Sequence, residues 1–547
     1  MKLKNFFLFG GQQNRNEFSL TYPSEEKREE YKQERKSAAA ELKKEASAKL
    51  SDNLALIQSI YTYPQNNDII IRNFELHAGE QTWKAFAVYI DGMVDRALIS
   101  NAIINPLQLI PQINSSITSG TALKDAITSR LISVNQLTTE ASMEKIASAI
   151  NIGCCVIFVD EIAEAFIADV KSWEHRPIST AENEQTIEGP KEAFNEILRM
   201  NTALIRKILN TQKLVIEMYT IGTESKTLCA LMYIKDIANE SLIEEARRRL
   251  NGIRVDYLIG TEELLQYIEE NTFMLTPQLL STERPDRVAR ELTEGRIAMM
   301  VHGSPTALIA PTNFFELLYS PEDMYNRFFY TNLIKVVRMI GVFISLFLPA
   351  LYITLTLYHQ EMIPTFLLYT IQSAQANVPF STIGEIIIME FAFELIREAG
   401  IRVPGPIGPT LGIIGALILG QASVAANIVS PVAIIIVAIT GIGSFATTNY
   451  SLGLSFRFLR FVFILLASLG GILGLVMGIM VYLAILVTTK SFGVPMLSPV
   501  APKSKSILGS ALFVPPIWKF EQRADFLNTK HRKRQPKISR AWDKNKR

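Results

Sequence analysis

The stretch that decides the fold of this chain is Ile334-Lys-Val-Val-Arg-Met-Ile-Gly-Val-Phe-Ile-Ser-Leu-Phe-Leu-Pro-Ala-Leu-Tyr-Ile-Thr-Leu-Thr-Leu357. A helix that crosses the hydrocarbon core of a bilayer needs about 20 predominantly apolar residues, and residues 334–357 meet that requirement. Lys335 and Arg338 lie near the start of the stretch, and a His-Gln-Glu run follows its end. Because basic residues favour the cytoplasmic side, the stretch predicts a spanning helix that begins in the cytoplasm.

The chain changes character where this stretch begins. Charged residues are frequent and apolar runs are short up to about Asn332, whereas long apolar runs dominate from Leu333 to Thr489. The mean hydropathy of +0.18 is therefore the average of two different parts. A chain of 547 residues has room for two or three packed units. We expect a soluble N-terminal region followed by an α-helical polytopic membrane domain.

Other apolar stretches predict further crossings. Residues 407–426, 431–448 and 461–488 are each long enough or nearly so, whereas residues 364–373 are too short and are predicted to lie in the membrane interface. If residues 383–396 also cross, the five crossings would leave the C-terminus outside the cytoplasm.

The C-terminal tail, Lys530 to Arg547, predicts the opposite side. It holds nine Lys or Arg residues against one acidic residue, Asp543. Such a tail favours contact with anionic lipid on the cytoplasmic face; a disordered solubilising tail is the alternative. We therefore expect four to six helices, and residues 383–396 are the doubtful crossing.

Residues 383–396 carry three carboxylates in a short apolar run. At helical spacing Glu390, Glu394 and Arg397 fall on one stripe, and Glu385 points to roughly the opposite side. Because intramembrane acids usually face a bundle interior or a water-filled path, these four residues are candidates for an ion pathway. The alternative is an intramembrane polar cluster in which Glu394 pairs with Arg397.

Glycines recur at intervals of four residues in the apolar part. Small residues at this spacing let helix backbones approach closely. Such spacing predicts tight packing within the bundle or between subunits, and the candidate packing residues are Gly408, Gly412, Gly470, Gly474 and Gly478.

The soluble region contains an apparent internal repeat. Tyr89-Ile-Asp-Gly-Met-Val-Asp95 matches Tyr233-Ile-Lys-Asp-Ile-Ala-Asn239, and each follows two strand-like runs. A third apolar run comes later in each half, at 153–159 and 295–301. The pattern predicts two similar tandem α/β subdomains. Chance similarity between strand-turn-helix units, which share Asp or Asn caps for physical reasons, is the alternative.

These features define the expected domain boundaries. The order is a charged, partly helical or disordered N-terminal extension at 1–53, subdomain 1 at 54–172, a linker at 173–189, subdomain 2 at 190–330, the transmembrane domain at 331–490, and a C-terminal region with the basic tail at 491–547.

No pattern in the sequence predicts catalysis, a cofactor or a metal site. Nucleotide-binding loops, His-x-x-x-His, Cys-x-x-Cys and nucleophile-elbow motifs are all missing. Asp91, Asp95, Asp160 and Glu161 lie at predicted strand ends, where turn and cap roles are more typical. Three cysteines favour a reducing compartment rather than a disulfide framework. The alternating charges of residues 25–50 predict an exposed helix and argue against nucleic-acid binding.

The sequence resembles the A subunit of bacterial spore germinant receptors, the GerA family, from about residue 50 to 502. In the soluble part the resemblance is carried by Tyr89-Ile-Asp-Gly-Met-Val-Asp95, Gly189-Pro-Lys-Glu-Ala-Phe194, Arg199, Asn201-Thr-Ala-Leu-Ile-Arg206, Thr282-Glu-Arg-Pro-Asp286 and Ser320-Pro-Glu-Asp323. In the apolar part it is carried by Leu348-Pro-Ala-Leu-Tyr352, Val378-Pro-Phe380, Phe393-Glu-Leu-Ile-Arg-Glu-Ala-Gly-Ile401 and Phe492-Gly-Val-Pro495.

The resemblance implies a receptor subunit in the spore inner membrane with a cytoplasmic N-terminal region. It implies two partners, a transporter-like B subunit and a lipoprotein C subunit, and a homo-oligomer formed through the membrane domain. Nutrients would trigger germination and cation release. Two hypotheses follow, a ligand-gated cation channel and a non-conducting signalling scaffold. A membrane-bound enzyme is not expected, because no catalytic cluster accompanies the motifs.

Overall fold

The fold was analysed in a computed structural model that describes residues 18–78, 81–108, 119–172, 181, 183–402, 415, 420–503 and 513–535. The N-terminal region has the expected α/β character, and the later region is helical.

The first half of the α/β region is built on one antiparallel five-stranded sheet of order β1-β2-β4-β5-β3. Buried and exposed side chains alternate near the start of β2, where one face of the strand is covered. Nearly all side chains are buried near its end, where both faces are covered. The strands are β1 Ile69–Ala78, β2 Gln81–Ile90, β3 Leu137–Glu140, β4 Cys155–Val159 and β5 Ala165–Ala168.

The second half repeats this arrangement. Its sheet has the order β6-β7-β9-β10-β8, which is the order of the first sheet position for position. The strands are β6 Leu214–Ile221, β7 Thr227–Ile234, β8 Leu280–Thr282, β9 Ile297–Val301 and β10 Ala307–Ala310. The repeated motifs lie where β2 and β7 end, and Asp95 and Asn239 both cap the helices that follow.

Each sheet is covered by helices on both faces. The helices of the first half are Leu50–Tyr61, Arg96–Leu98 continuing through Ile99–Ile104 into Asn105–Gln108, Gly120–Ala126 continuing through Ile127–Leu131, and Met143–Asn151. Those of the second half are Leu198–Ile208, Glu240–Gly252, Thr261–Ile268, Pro285–Glu294 and Phe314–Leu317. Their apolar faces form two separate cores in each half.

The two halves are joined through a buried arginine. Arg206 donates from Nε to Asp68 at 2.7 Å and from Nη2 to the same carboxylate at 2.9 Å, and both side chains are 1% exposed. The neighbouring Asn66 and Asn67 bond to the backbone of β6. A buried carboxylate paired in two places with arginine fixes the geometry as well as the charge, so the halves meet in one orientation.

A second contact between the halves is centred on Glu217. Its carboxylate accepts hydrogen bonds from Gln65, Arg247 and Tyr233. Burial alone would raise the pKa of Glu217, but the bonds from Arg247 and Tyr233 hold its pKa below the usual value.

The N-terminal extension begins in the described part with an exposed helix, Glu25–Leu42, in which no side chain is buried. The boundary expected at residue 53 falls inside the helix Leu50–Tyr61, because Ile57 and Tyr61 already belong to the core of the first half. The expected linker at 173–189 lies partly outside the described residues. Its described end is held by Arg284, which donates to the carbonyl groups of Glu184 and Pro190.

Four helical segments form a bundle that follows the α/β region. They are the junction helix, Phe328–Ile353 with its continuation Thr354–Tyr358; the acidic helix, Thr382–Arg402; the distal-capped helix, Pro431–Ser444; and the hairpin, Tyr450–Thr488. A shorter helix, Thr365–Gln375, matches the stretch predicted for the interface. Among the described residues, the junction helix and the hairpin are long and apolar enough to span a membrane.

The last segment is not the single crossing predicted at 461–488. Gly471 has non-helical backbone angles, φ 55° and ψ −136°, and the chain folds back there. A Cβ at Gly478 would lie 2.6 Å from Leu466 and 3.1 Å from Phe463, although positions 463 and 478 would be roughly 22 Å apart in a straight helix. Residues 450–470 and 472–488 are therefore two antiparallel arms.

Both arms of the hairpin end at the α/β region. Thr448, just before the first arm, bonds to the carbonyl groups of Leu317 and Tyr319. After the second arm, Ser491 accepts from the backbone N–H of Thr312. The pair β11 Lys490–Ser491 and β12 Val494–Pro495 continues this contact. The far end of the bundle holds the turn at Gly471 and Tyr358 of the junction helix.

The C-terminal segment returns to the second half of the α/β region. The side chain of Asn239 donates to the carbonyl groups of Thr21 and Asn528, and Asn528 donates to the carbonyl group of Leu20. The described part of the basic tail pairs with protein carboxylates: Lys530 with Glu240 at 2.5 Å and Arg534 with Glu294 at 2.6 Å. Residues 536–547 lie outside the described part, so the lipid contact predicted for the tail stays a prediction.

Candidate functional site

The four residues predicted for the ion pathway all lie on the acidic helix, which runs antiparallel to the junction helix. Glu385 is near the far end of the bundle, beside Tyr352, whereas Glu394 is nearer the α/β region, beside Arg457. This helix is one continuous element from Thr382 to Arg402. The sequence left this crossing in doubt, because three acidic residues in a short apolar run are more typical of a surface helix. The arginines that pair with these acids lie partly on another helix.

Glu390 is paired with an arginine of the hairpin. Arg460 donates from Nη1 to Glu390 at 2.6 Å, and the two side chains are 1% and 0% exposed. Arg460 also donates from Nε to the carbonyl oxygen of Ser345 at 2.7 Å, so it ties three helices together. The opposite charges of this buried pair compensate each other, and the pair joins the acidic helix to the hairpin.

Glu394 is shared by two arginines. Arg397, one turn later on the same helix, donates to its Oε2 atom, and Nη1 of Arg457 lies 3.9 Å from the same oxygen. The stripe of Glu390, Glu394 and Arg397 is thus a network of opposite charges, as in the polar-cluster alternative.

Glu385 has different surroundings. It is 0% exposed, and its Oε2 atom accepts a 2.8 Å hydrogen bond from the backbone N–H of Ser430, which caps the distal-capped helix. The positive end of a helix dipole stabilises a negative charge there. Within the described part of the chain no cationic side chain lies within ion-pair distance of Glu385, which distinguishes it from Glu390 and Glu394. The Oε1 atoms of all three glutamates lack a hydrogen-bond partner.

Polar side chains from four segments converge near Glu385. Gln375 donates to the hydroxyl oxygens of Tyr352 at 3.3 Å and Thr382 at 3.1 Å, and Tyr352 lies beside Glu385 and Ser430. Oxygen atoms of carboxylate, hydroxyl and amide groups are the ligands that hard cations prefer. The arrangement can therefore hold a cation beside the carboxylate of Glu385.

The predicted packing glycines have mixed positions. Gly408 and Gly412 lie outside the described residues. A Cβ added at Gly470 would meet nothing within 4 Å, while Gly474 and Gly478 pack against the opposite arm of their own hairpin. Gly474 and Gly478 thus let the two arms of the hairpin approach closely, whereas Gly470 makes no such contact.

Other glycines provide the close contacts between separate helices. A Cβ at Gly443 would lie 2.7 Å from the carbonyl oxygen of Gly341, which brings the distal-capped helix against the junction helix, and Gly441 faces the ring of Phe393. Sequence reasoning missed these residues because they are single small residues on different helices, and no fixed spacing marks such a pair.

The sequence also missed Arg457 and Arg460. The predicted span started at residue 461, which excluded both arginines, whereas the hairpin begins at Tyr450. Two arginines in an otherwise apolar run were a usable signal, because a buried charge calls for an opposite charge, and three unexplained glutamates lay on another predicted helix.

The acids at the strand ends serve structure. Asp95 accepts from the backbone N–H of Leu98, Asp160 from that of Leu50, and Glu161 from the indole of Trp83. Asp91 pairs with Arg96 and Arg199. Among the described residues no group of three or more His, Cys, Asp or Glu side chains is placed to hold a metal ion.

Comparison with known proteins gives a consistent result over most of the chain. The family described as Bacillus/Clostridium GerA spore germination protein matches residues 56–526. Spore germination protein KA of Bacillus subtilis (strain 168) is 39% identical over 476 residues, which cover 87% of this chain and 86% of that protein. Spore germination protein GerLA of Bacillus cereus is 35% identical, covering 86% of this chain and 94% of that protein.

Two further matches differ in kind. The uncharacterized membrane protein YfkQ of Bacillus subtilis (strain 168) is 37% identical, covering 84% of this chain and 87% of that protein. The crystal structure of the N-terminal domain of the A subunit of the Bacillus megaterium spore germinant receptor GerK3 is 29% identical, with a TM-score of 0.37; the match covers 49% of this chain and 97% of that one.

Proposed function

Because the chain belongs to the GerA family of spore germination proteins, we propose that it is a subunit of a nutrient germinant receptor in the spore inner membrane. It works there with a transporter-like B subunit and a lipoprotein C subunit. Its α/β region lies in the cytoplasm, and its helical bundle forms part of a ligand-gated cation channel. The observation that carries the channel assignment is the buried Glu385, which lacks a cationic partner among the described residues.

The proposed topology has six crossings. The junction helix leads away from the α/β region, the acidic and distal-capped helices run back toward it, and the two arms of the hairpin lead out and return. The stretch predicted to cross at 407–426, most of which lies outside the described residues, is proposed as the sixth crossing. An even number of crossings places the C-terminal segment on the same side as the α/β region, on which it packs. Six crossings therefore agree with the cytoplasmic side that the basic tail predicts, whereas five did not.

Within this bundle Glu385 is proposed as the cation-binding group. An ionised carboxylate that is fully buried is costly unless a positive charge compensates it. One backbone N–H and a helix dipole provide only part of that compensation. A monovalent cation beside Oε1 would provide the rest, and weak binding by few ligands permits release.

Glu390 and Glu394 are assigned a different role. Each already faces an arginine, at 2.6 Å in the pair of Glu390 and Arg460, so neither is free to compensate a passing ion. We propose that they hold the acidic helix against the hairpin. Substitution at Glu390 would therefore disturb the bundle itself and would be a poor test of conduction.

Glu385 is fully buried within a single bundle, so an ion from solution does not reach it there. A path through one bundle in this closed state is therefore not sufficient for conduction. We propose that copies of this chain assemble through the membrane domain. Exposed apolar side chains on the acidic helix, Phe391 at 60% and Leu395 at 56%, offer a surface for such an assembly or for lipid.

The test is Glu385→Gln, which removes the charge and keeps the shape. Spores carrying the variant would be exposed to a mixture of amino acids and sugars, and potassium release followed with an ion-selective electrode. The expected result is loss of nutrient-triggered release at unchanged receptor level. Glu398→Gln is the matched control, because Glu398 lies on the same helix but is exposed and paired with Arg402. Normal release from Glu385→Gln spores would exclude this carboxylate from the pathway.

The second candidate function is a non-conducting signalling scaffold. The pairing of Glu390 and Glu394 with arginines favours it, because those acids then need no ion. Reconstitution of the purified chain in liposomes separates the two functions. Potassium flux that requires this chain and is lost in Glu385→Gln supports the channel; flux absent under all conditions, with nutrient signalling intact in spores, supports the scaffold.

A further inference from the structure

A loop of the second α/β half exposes apolar side chains beside the hairpin. In the segment 271–275, which we call the aromatic loop, Phe273 is 83% exposed and Leu275 is 42% exposed. Exposing a side chain as large as phenylalanine to water forgoes the favourable burial of its apolar surface.

The loop is held in place, so its exposure reflects a fixed position. The buried Gln278 accepts hydrogen bonds from the backbone N–H groups of Glu270 and Asn271, and it donates to the carbonyl oxygen of Asn271 at 2.6 Å. The side chain of Asn271 in turn accepts from the backbone N–H of Phe273 at 3.1 Å. These bonds fix the backbone of the loop, and the side chain of Phe273 extends from it into solvent.

The loop extends from the end of the second arm, where the hydroxyl group of Thr489 lies 3.6 Å from the sulfur of Met274, along the sides of both arms. Ser455 of the first arm donates to the carbonyl oxygen of Leu275, and Tyr482 of the second arm shares a 3.0 Å hydrogen bond with Thr276. At about 1.5 Å of rise per residue, Ser455 and Tyr482 are roughly 7–9 Å from the helix ends at the α/β region. The loop therefore reaches the depth at which the arms have already entered the bilayer in the proposed topology.

We propose that the aromatic loop inserts into the cytoplasmic leaflet, at the boundary between lipid headgroups and acyl chains, with Phe273 as its anchor. The inference rests on the membrane topology of the proposed function. An apolar ring at this depth gains burial in lipid, and side chains held on a rigid support lose little entropy on insertion. Because the loop also bonds to both arms, the anchor would fix the second α/β half to the membrane surface next to the hairpin.

The test is a set of single-cysteine probes on the full-length chain in lipid vesicles. Phe273→Cys, Tyr257→Cys and Met480→Cys would each be labelled with an environment-sensitive fluorophore. Tyr257 is the matched control: it is 56% exposed and lies in the same half, but at the opposite end, beside the turn between β6 and β7. Met480, 66% exposed on the second arm, reports insertion of the hairpin. The native cysteines, all buried, should label little.

Each probe would be quenched by nitroxides on the acyl chains and, separately, by aqueous iodide. The expected result is strong lipid quenching and weak iodide quenching at 273 and 480, and the reverse at 257. Lipid quenching at 480 with iodide quenching at 273 would overturn the anchor alone. A probe at 273 that neither agent reaches would show a protein partner instead and would overturn it too. Iodide quenching at 480 would overturn both the anchor and the proposed topology.

Discussion

Tyr358 donates a 2.5 Å hydrogen bond to the carbonyl oxygen of Ser468, and its ring lies against Gly471. The far end of the junction helix thus contacts the turn of the hairpin. Gly471 has φ +55°, a backbone conformation that residues with a Cβ atom rarely adopt. In addition, a Cβ atom at this position would lie 2.9 Å from the ring of Tyr358. Two independent constraints therefore require glycine at this one position.

Gly471→Ala is expected to destabilise the hairpin. Backbone strain of this kind costs about 1–3 kcal/mol, before the clash with Tyr358 is added. The measurement is thermal unfolding of the full chain in detergent. Gly470→Ala is the matched control, since a Cβ at the adjacent glycine meets nothing within 4 Å. Equal unfolding temperatures for the two variants would mean that the chain does not turn at Gly471.

Glu390→Gln is expected to lower stability strongly, because it leaves Arg460 buried without its charge partner. Removing one member of a buried ion pair costs about 3–5 kcal/mol. Replacing both members, with Glu390→Leu and Arg460→Met, is expected to restore most of that loss. The measurement is again unfolding in detergent; a double variant no more stable than the single one would argue against a direct pair.

Arg206→Ala is expected to loosen the junction between the two α/β halves. It leaves Asp68 buried and unpaired, at a cost of about 3–5 kcal/mol. Limited proteolysis at the region between the halves should become faster, and the free energy of unfolding should fall. Arg254→Ala, which removes an exposed arginine bonded only to nearby carbonyl groups, should leave both measurements unchanged. Unaltered proteolysis of Arg206→Ala would rule out this residue as the fixing contact.

Glu269 should make the stability of the α/β region depend on pH. Burial raises the pKa of this carboxyl from 4.5 to about 7. Between these values the folded state keeps a proton that the unfolded state has lost, so the free energy of unfolding falls as pH rises through this window. The penalty is fully present above about pH 7 and absent below about pH 4.5.

Glu269→Gln removes that penalty. The variant should be more stable than the parent above pH 7, by about 1–2 kcal/mol once partial exposure is allowed for, and equally stable in acid. Unfolding temperatures measured across the pH range check this. Glu224→Gln, a change at an exposed carboxylate, is the control. A constant difference between parent and Glu269→Gln at all pH values would contradict the assignment.

The sequence predicted the general fold because its strongest patterns are local. Apolar length identified the junction helix, and the repeated strand-turn-cap motif preceded two sheets of identical strand order. Opposite charges along residues 25–50 predicted the exposed helix, which the structure has at Glu25–Leu42. Each of these signals depends on neighbours in the chain or on a single helix face.

What the sequence could not predict depends on contacts between distant residues. The pairing of Glu390 with Arg460 joins two helices whose relative position no periodicity encodes. The turn at Gly471 was hidden within a continuous apolar run, although adjacent glycines are a recognised place for a helix to break. The packing of the C-terminal segment was likewise missed, since Glu240 and Glu294, the partners of Lys530 and Arg534, lie far away in the sequence.

The bonds that Asn239 makes with Thr21 and Asn528 have a consequence for biosynthesis. The ribosome makes Asn239 long before Asn528, because 289 positions separate the two residues. The second α/β half therefore keeps one surface uncovered until Asn528 has been synthesised and has left the ribosome. A chain terminated before Asn528 keeps that surface uncovered and is exposed to proteolytic quality control.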